Sequence, residues 1–462
     1  MFKAVLLATA IVLAPYSLAN GDYLFKISGS NTLGAHLAPL CAAEYLKTKG
    51  FKQVNINNTP VENEKVVMGY NPAGQQQGIF IAAHGSSTGF KALQTASADL
   101  AMSSRPIKAK ELLDLAALGD LRAAQAEHTV AIDGLAILVN PNNPIAKLSV
   151  QQVADIFSGV ISNWQELGGA NLAISLYARD EQSGTWDTFK NLVLGKQHKL
   201  ATSALRFESN DELSDQVAND PGAIGFTGLA SVRNSKLVAI SDKNTLALLP
   251  QRLTVATEDY PLSRRLYFYQ PQNSLKSKDL NSKVWVQGYV DFCLAEAGQN
   301  LVEQVGFITQ NIIAVQQPQY QNAPSSYMQL ADKALRLSIN FRFNNGSSKL
   351  DNKALKDIER VSQFLSKPEY TGRNVYLVGF SDSHKKKKHD LLIAHFRALA
   401  VQAKLIKQQI AISKSLSLGS FMPVASADSQ AAKLKNSRVE IWVEKSPSGQ
   451  QLTHISIPNA LP

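Results

Sequence analysis

The chain of 462 residues predicts an α/β protein in two parts, a larger unit of alternating strands and helices followed by a smaller α+β domain. Three observations carry this. Short apolar strands alternate with helical stretches from residue 23 to about 315. A run rich in Gln, Pro, Asn and Ser, residues 316–326, then interrupts the pattern with almost no apolar content to bury. Beyond it the charge changes: residues 335–462 carry 20 Lys and Arg against 9 Asp and Glu, an excess of +11, whereas residues 1–334 stand at −1. The composition, 45% hydrophobic and 18% charged, allows cores of ordinary size and excludes a disordered chain.

At the N-terminus Lys3 precedes an apolar run over residues 4–14 and a small-residue site at Ser17-Leu18-Ala19, so residues 1–19 read as a secretory signal peptide, with no lipobox cysteine near the cut. No apolar run reaches the roughly 18 residues of a spanning helix. Strands are expected at 23–28, 131–140, 173–177 and 223–227, and helices at 34–47 and 150–157. These belong to a domain of residues 20–315. A linker over 316–334 leads to a domain of residues 335–446, with strands at 337–343, 374–380 and 439–444 around helices at 352–366 and 391–408, and a tail of 447–462. Cys41 and Cys293 are too few for a disulfide scaffold, although an oxidising compartment would allow one bond between them.

Four segments of the first domain place Ser, Thr or Gly where a strand ends and a helix begins: Ser28-Gly29-Ser30-Asn31-Thr32, Gly85-Ser86-Ser87-Thr88-Gly89, Ser103-Ser104-Arg105-Pro106, and the run from Arg179 through Ser183-Gly184-Thr185. Helix N-termini offer unpaired N–H groups to an anion, glycine permits close approach, and hydroxyls add donors. Arg179 supplies a planar fork suited to two oxygens of a phosphate-like group, with Glu181 placed to orient it. Each segment alone reads as an ordinary helix cap; four in order read as an anion cradle.

Their order and spacing resemble the PstS-like phosphate-binding proteins of ABC transporters. The likeness extends over residues 131–140 (AIDGLAILVN), 156–164 (IFSGVISNW) and 221–226 (PGAIGF), spanning roughly 23–315. The resemblance implies a two-lobed periplasmic binding protein fold that closes over its ligand, with an ABC permease as partner. It places ligand contacts on Thr32, Leu33, Ser86, Arg179, Ser183, Gly184 and Thr185, with Ser30 and Ser104 added. Ser104 stands where the best-known members carry an aspartate that accepts the proton of phosphate and repels sulfate. That exchange leaves discrimination between phosphate, sulfate and arsenate open.

The second domain contains Val378-Gly379-Phe380-Ser381-Asp382, Arg397-Ala398 and Asn436-Ser437-Arg438-Val439-Glu440-Ile441, and over about 335–445 it resembles the OmpA-like peptidoglycan-binding domain. The resemblance implies that Asp382 takes the ammonium and Arg397 a carboxylate of zwitterionic diaminopimelate, with Asp390 standing where the family has an asparagine. A structural salt bridge between Asp382 and Arg397 is the alternative, and the resemblance favours ligand contact. The loop at 383–389 departs from the family by carrying four lysines, Lys385 to Lys388, and reads as solvated and basic.

The expected function is therefore a periplasmic solute-binding protein capturing phosphate or a related oxyanion, held on peptidoglycan, or alternatively a cell-envelope structural or adhesion protein whose binding lobe has lost or changed its ligand. No catalytic residue, metal or cofactor is expected. Ser86 and Thr185 lack a base, and His36, His84 and His128 are scattered, while His384 and His389 lack a third ligand. Export makes nucleic acid an unsuitable partner for the basic domain.

Overall fold

A strand of 13 residues, Glu127–Val139, runs through both halves of the larger unit and organises it. Twelve of its residues are buried, His128, Thr129 and Asp133 among them, so it has no solvent face. Its first half, to Gly134, pairs antiparallel with Ser263–Tyr269, and its second half, from Leu135, pairs antiparallel with Ala223–Gly228. The crossover at Gly134 and Leu135 divides the sheet into two lobes. The computed structural model describes residues 23–181, 183–243, 245–273, 280–317, 323–344, 347–383, 386–426 and 430–446. The expected signal peptide and C-terminal tail lie outside these, as do Gln182, His384 and Lys385.

In the first lobe the strands lie in the order Lys52–Asn58, Glu64–Tyr70, Gln76–Ala82, Tyr23–Gly29, Leu100–Ser103, Ser263–Tyr269. Tyr23–Gly29 is parallel to both of its neighbours, so its C-terminal end opens into loops that lead to helices on one side of the lobe. In the second lobe Ala223–Gly228, Ser175–Arg179 and Leu205–Phe207 continue the sheet in parallel. Helix Val150–Phe157 begins where expected because Ser149 and Gln152 cap it reciprocally, at 3.1 and 2.8 Å. The single helix expected over 34–47 is instead two, Asn31–Gly34 and Leu37–Thr48. Pro39 explains the restart: lacking an N–H, it is accommodated in the first turn of a helix and not in its interior. Cys41 and Cys293 lie buried in the first-lobe core as free thiols, without the bond that the sequence allowed.

The smaller domain is a sheet in the order Ala314–Val315, Ala334–Arg342, Arg438–Glu444, Val375–Gly379, Lys414–Ser417, packed by helices Asn352–Leu365 and Lys387–Lys407. The segment read as a linker contributes to this domain. Ser325–Lys333 forms a helix that buries Tyr327, Leu330 and Ala331, and Gln317 is buried where it accepts from Arg336 at 3.1 Å. Three apolar residues clustered within a polar stretch suffice to anchor one short helix.

The two domains dock through buried charge. Asp259 accepts from Arg336 at 2.7 Å and Asn340 at 2.8 Å and lies 3.4 Å from Arg342, and Glu440 lies 3.3 Å from Arg336. Arg265 pairs with Glu258 at 2.9 Å and reaches across to Asp351 at 2.8 Å. Burial alone would favour the neutral acids, yet the guanidiniums of Arg336, Arg438 and Arg342 hold Asp259 below its ordinary value. Against the same burial penalty, Arg265, Arg342 and Lys353 bring Glu258 down to about 2.

Removing one member of such a network strands the others without a counter-charge, which typically costs about 3–5 kcal/mol. We therefore expect Asp259→Ala to separate the melting of the two domains into distinct calorimetric transitions. The contribution of Glu258 is complete above its ordinary pKa of 4.5 and is lost as pH falls toward about 2, so the unsubstituted chain should show the same separation over that interval. One unchanged transition in both experiments would contradict a charge-held interface.

Candidate functional site

The hydroxyl-bearing loops gather at the ends of the first-lobe strands. Gly29 has φ +137°, and a Cβ there would lie 2.1 Å from the Met102 carbonyl oxygen, so glycine alone lets strand Tyr23–Gly29 pass against Leu100–Ser103. The Ser30 N–H then donates to Met102 at 3.0 Å, which sets Ser30 beside the turn holding Ser104. Ser86 opens helix Ser86–Gln94, receives the Ser104 N–H at 3.0 Å and places its hydroxyl 3.3 Å from that of Ser104. Ser30, Ser86 and Ser104 are all buried, and the Ser30 hydroxyl has no hydrogen-bond partner among the described residues. An unpaired buried hydroxyl costs about 1–3 kcal/mol unless something else satisfies it.

The lobes meet beside this group. Thr32 stands on the short helix Asn31–Gly34, and Leu33 of the same turn is buried in the first-lobe core. A Cβ on Gly184 would lie 2.2 Å from the Thr32 hydroxyl, so the two backbones touch across the cleft. Ser183 caps the helix Gly184–Phe189, its hydroxyl accepting from the Thr185 N–H at 3.2 Å and the Trp186 N–H at 3.4 Å. Arg264 crosses the seam: it donates to the Thr32 hydroxyl at 3.0 Å and to the Gly184 carbonyl at 2.9 Å while pairing with Asp133 at 3.1 Å. The sequence reading passed over this arginine. The signal available was the dipeptide Arg264-Arg265 opening an otherwise apolar strand, where both would have to find buried partners.

Arg179 ends strand Ser175–Arg179 and is directed within its own lobe, toward the carbonyls of Phe207, at 3.1 Å, and Glu208. Asp180, at 3.4 Å, is its carboxylate neighbour, whereas Glu181, expected to orient it, pairs with Arg206 at 3.2 Å. Burial disfavours the charged form of Arg179 and the Asp180 charge offsets this only in part, so an anion brought here would meet a poorly compensated cation. A cleft of about 490 Å³ adjoins the seam, lined by Thr32, Ser183 and Gly184 and by the carboxylates Glu62, Glu181 and Asp187. The structure thus groups Ser30, Ser86 and Ser104 in one lobe and Arg179, Ser183 and Thr185 in the other, with Thr32 and Gly184 in contact between them. Among the described residues no group of three or more His, Cys, Asp or Glu side chains could hold a metal ion.

In the smaller domain Asp382 follows the strand Val375–Gly379 and is buried, with Asn436 donating to it at 3.4 Å. Arg397, on helix Lys387–Lys407, donates to the Phe380 carbonyl at 3.3 Å and lies over the Phe343 ring at 5.5 Å. Burial lowers the Arg397 pKa while the Asp382 charge raises it, so the two charges sense each other, yet no ion pair joins them among the described residues. Asp390 is buried and accepts from the Ser420 hydroxyl at 2.8 Å.

Contact between Thr32 and Gly184 leaves no room for a methyl group. Gly184→Ala is expected to hold the lobes apart and raise the radius of gyration measured by small-angle scattering; an unchanged scattering curve would show that the seam can absorb the methyl.

A family model described as PBP superfamily domain matches residues 42–297, and one described as OmpA family matches residues 342–438. The phosphate-binding protein PstS of Borreliella burgdorferi is 25% identical over 251 residues, which make up 53% of this chain and 84% of that protein. PstS of Bacillus subtilis is 29% identical over 223 residues, 46% of this chain and 70% of that one. Among solved structures, an ABC-type phosphate transport receptor from Vibrio cholerae aligns at 25% identity and a TM-score of 0.47, covering 62% of this chain and 99% of the receptor.

Proposed function

The chain belongs to the PBP superfamily and carries an OmpA-family domain, and from this premise we propose that it captures phosphate or a related tetrahedral oxyanion in the periplasm while its second domain holds peptidoglycan. The observation that carries the first half is the buried Ser30 hydroxyl, without a hydrogen-bond partner among the described residues and set with Ser86 and Ser104 beside the seam that Arg264 bridges. An anion enclosed there would take hydrogen bonds from these hydroxyls and from Thr32, Ser183, Gly184 and Thr185, and it would neutralise Arg179. Closure works by bringing both sets of donors onto one desolvated ligand, with Arg264 bridging the lobes once they meet. The chemistry is binding without turnover: in this reading no hydroxyl serves as a nucleophile.

Ser104 cannot repel a fully ionised anion as a carboxylate would, so selectivity for phosphate has to come from other groups at the seam. One observation favours a second reading, in which the lobe has changed or lost its ligand: Arg179 is already engaged by two backbone carbonyls of its own lobe. Calorimetric titration of the full mature chain, stripped of bound anion by partial unfolding, separates the two. Tight heat with phosphate supports capture, and Arg179→Ala should then weaken binding by about 2–5 kcal/mol, the usual consequence of removing one partner from a desolvated charge contact. Absence of heat with phosphate, sulfate and arsenate would install the second reading.

For the anchor, Asp382 and Arg397 present opposite charges without closing on one another, which suits a zwitterionic diaminopimelate, and Asp390 adds a carboxylate nearby. Asp382→Ala and Arg397→Ala are each expected to release the protein from purified sacculi in a sedimentation assay. Sedimentation equal to that of the unsubstituted chain would remove these residues from the wall contact. We place the molecule at the wall or the outer membrane, delivering to an ABC permease that its docked domains would have to meet together.

A further inference from the structure

Helix Lys387–Lys407 has two apolar faces. One, formed by Ala394, Ala398, Val401 and Leu405, is buried in its own domain. The other carries Leu392, Phe396, Leu399, Ala403 and Ile406, which recur at alternating steps of four and three residues and so form one stripe along the helix. This stripe is exposed, with Leu392 at 50%, Phe396 at 53% and Ile406 at 55%. A contiguous apolar surface of this length is uncommon on a protein surface that faces only water.

The ends of the stripe are basic. Lys388 lies one turn before Leu392 and Lys407 one turn beyond Ala403, both exposed on the same face, with Lys387 and Lys404 exposed alongside. These charges decide between occupants. A second copy of the helix, in either direction, would set lysine against lysine at both ends. A glycan strand offers no acyl surface to cover the leucines and phenylalanine. A bilayer containing anionic lipid offers phosphates at the level of the ammonium groups and hydrocarbon beneath them, the arrangement that suits a helix lying in the interface.

We propose that this outer face of helix Lys387–Lys407 is a docking surface for an anionic phospholipid bilayer, independent of the anion seam and of the Asp382 and Arg397 site. The test is co-sedimentation of the full mature chain with vesicles of phosphatidylglycerol and phosphatidylethanolamine, and with vesicles of phosphatidylcholine alone, at low and at physiological salt. Binding to the anionic vesicles that weakens with salt is expected, with little binding to phosphatidylcholine. Phe396→Ser combined with Leu399→Ser should weaken it at least tenfold, and Lys388→Glu with Lys407→Glu should do likewise. These four positions are exposed, so circular dichroism should confirm an unchanged fold. No binding to anionic vesicles at low salt would overturn the proposal, and so would full binding by the Phe396 and Leu399 variant. A concentration-dependent dimer that the same variant dissolves, without vesicle binding, would assign the face to a second copy instead.

Discussion

Arg264 and Arg265 are neighbours on one strand, and successive side chains of a strand leave its opposite faces. That alternation sends Arg264 to the seam between the lobes, where it bridges Thr32 and Gly184, and Arg265 to the other side, where it binds Glu258 and crosses to Asp351 of the second domain. Both arginines sit beside the Gly134–Leu135 crossover, where the long strand passes from one lobe to the other. One pair of adjacent residues on one element therefore contributes both to the contact between the lobes and to the contact between the domains.

The consequence is a chain whose second domain is docked against the first through buried charge and not trailed on a spacer. The network at Asp259 is made of charges that are costly to bury singly and acceptable together, so it penalises every partial or shifted arrangement. An apolar interface of the same size could hold the domains with less orientational demand. Lys435 shows the same economy from the opposite sign: burial and the adjacent Arg342 bring its ammonium down to about 8, while it donates to the Pro261 carbonyl at 3.0 Å.

The second domain distributes its own chemistry by faces. The helix Lys387–Lys407 supplies Arg397 and Asp390 to the neighbourhood of Asp382, Ala394 and Val401 to the core, and the Leu392–Phe396 stripe to the exterior. A helix asked to serve three surroundings shows weak amphipathic contrast along its sequence. The excess of basic residues after residue 335 likewise divides in two, with Arg336, Arg342 and Arg438 spent inside on carboxylates and the lysines of 386–388 left outside.

Periodicity and motif spacing alone determined the α/β class, the two-part organisation, the helix at Val150–Phe157, and the four Ser/Gly loops, because each depends on residues close in sequence. Tertiary structure alone decided that Ser86 and Ser104 share hydrogen bonds, that Gly184 has to be glycine against Thr32, and that Arg264 joins the lobes from 232 residues away. It also turned Arg179 toward Phe207 and drew residues 325–333 out of an apparent linker into a packed helix. A long-range contact leaves no periodic trace. A buried charge can be understood only once its counter-charge is brought beside it, and Arg265, Arg336 and Arg342 each have at least one counter-charge in the other domain.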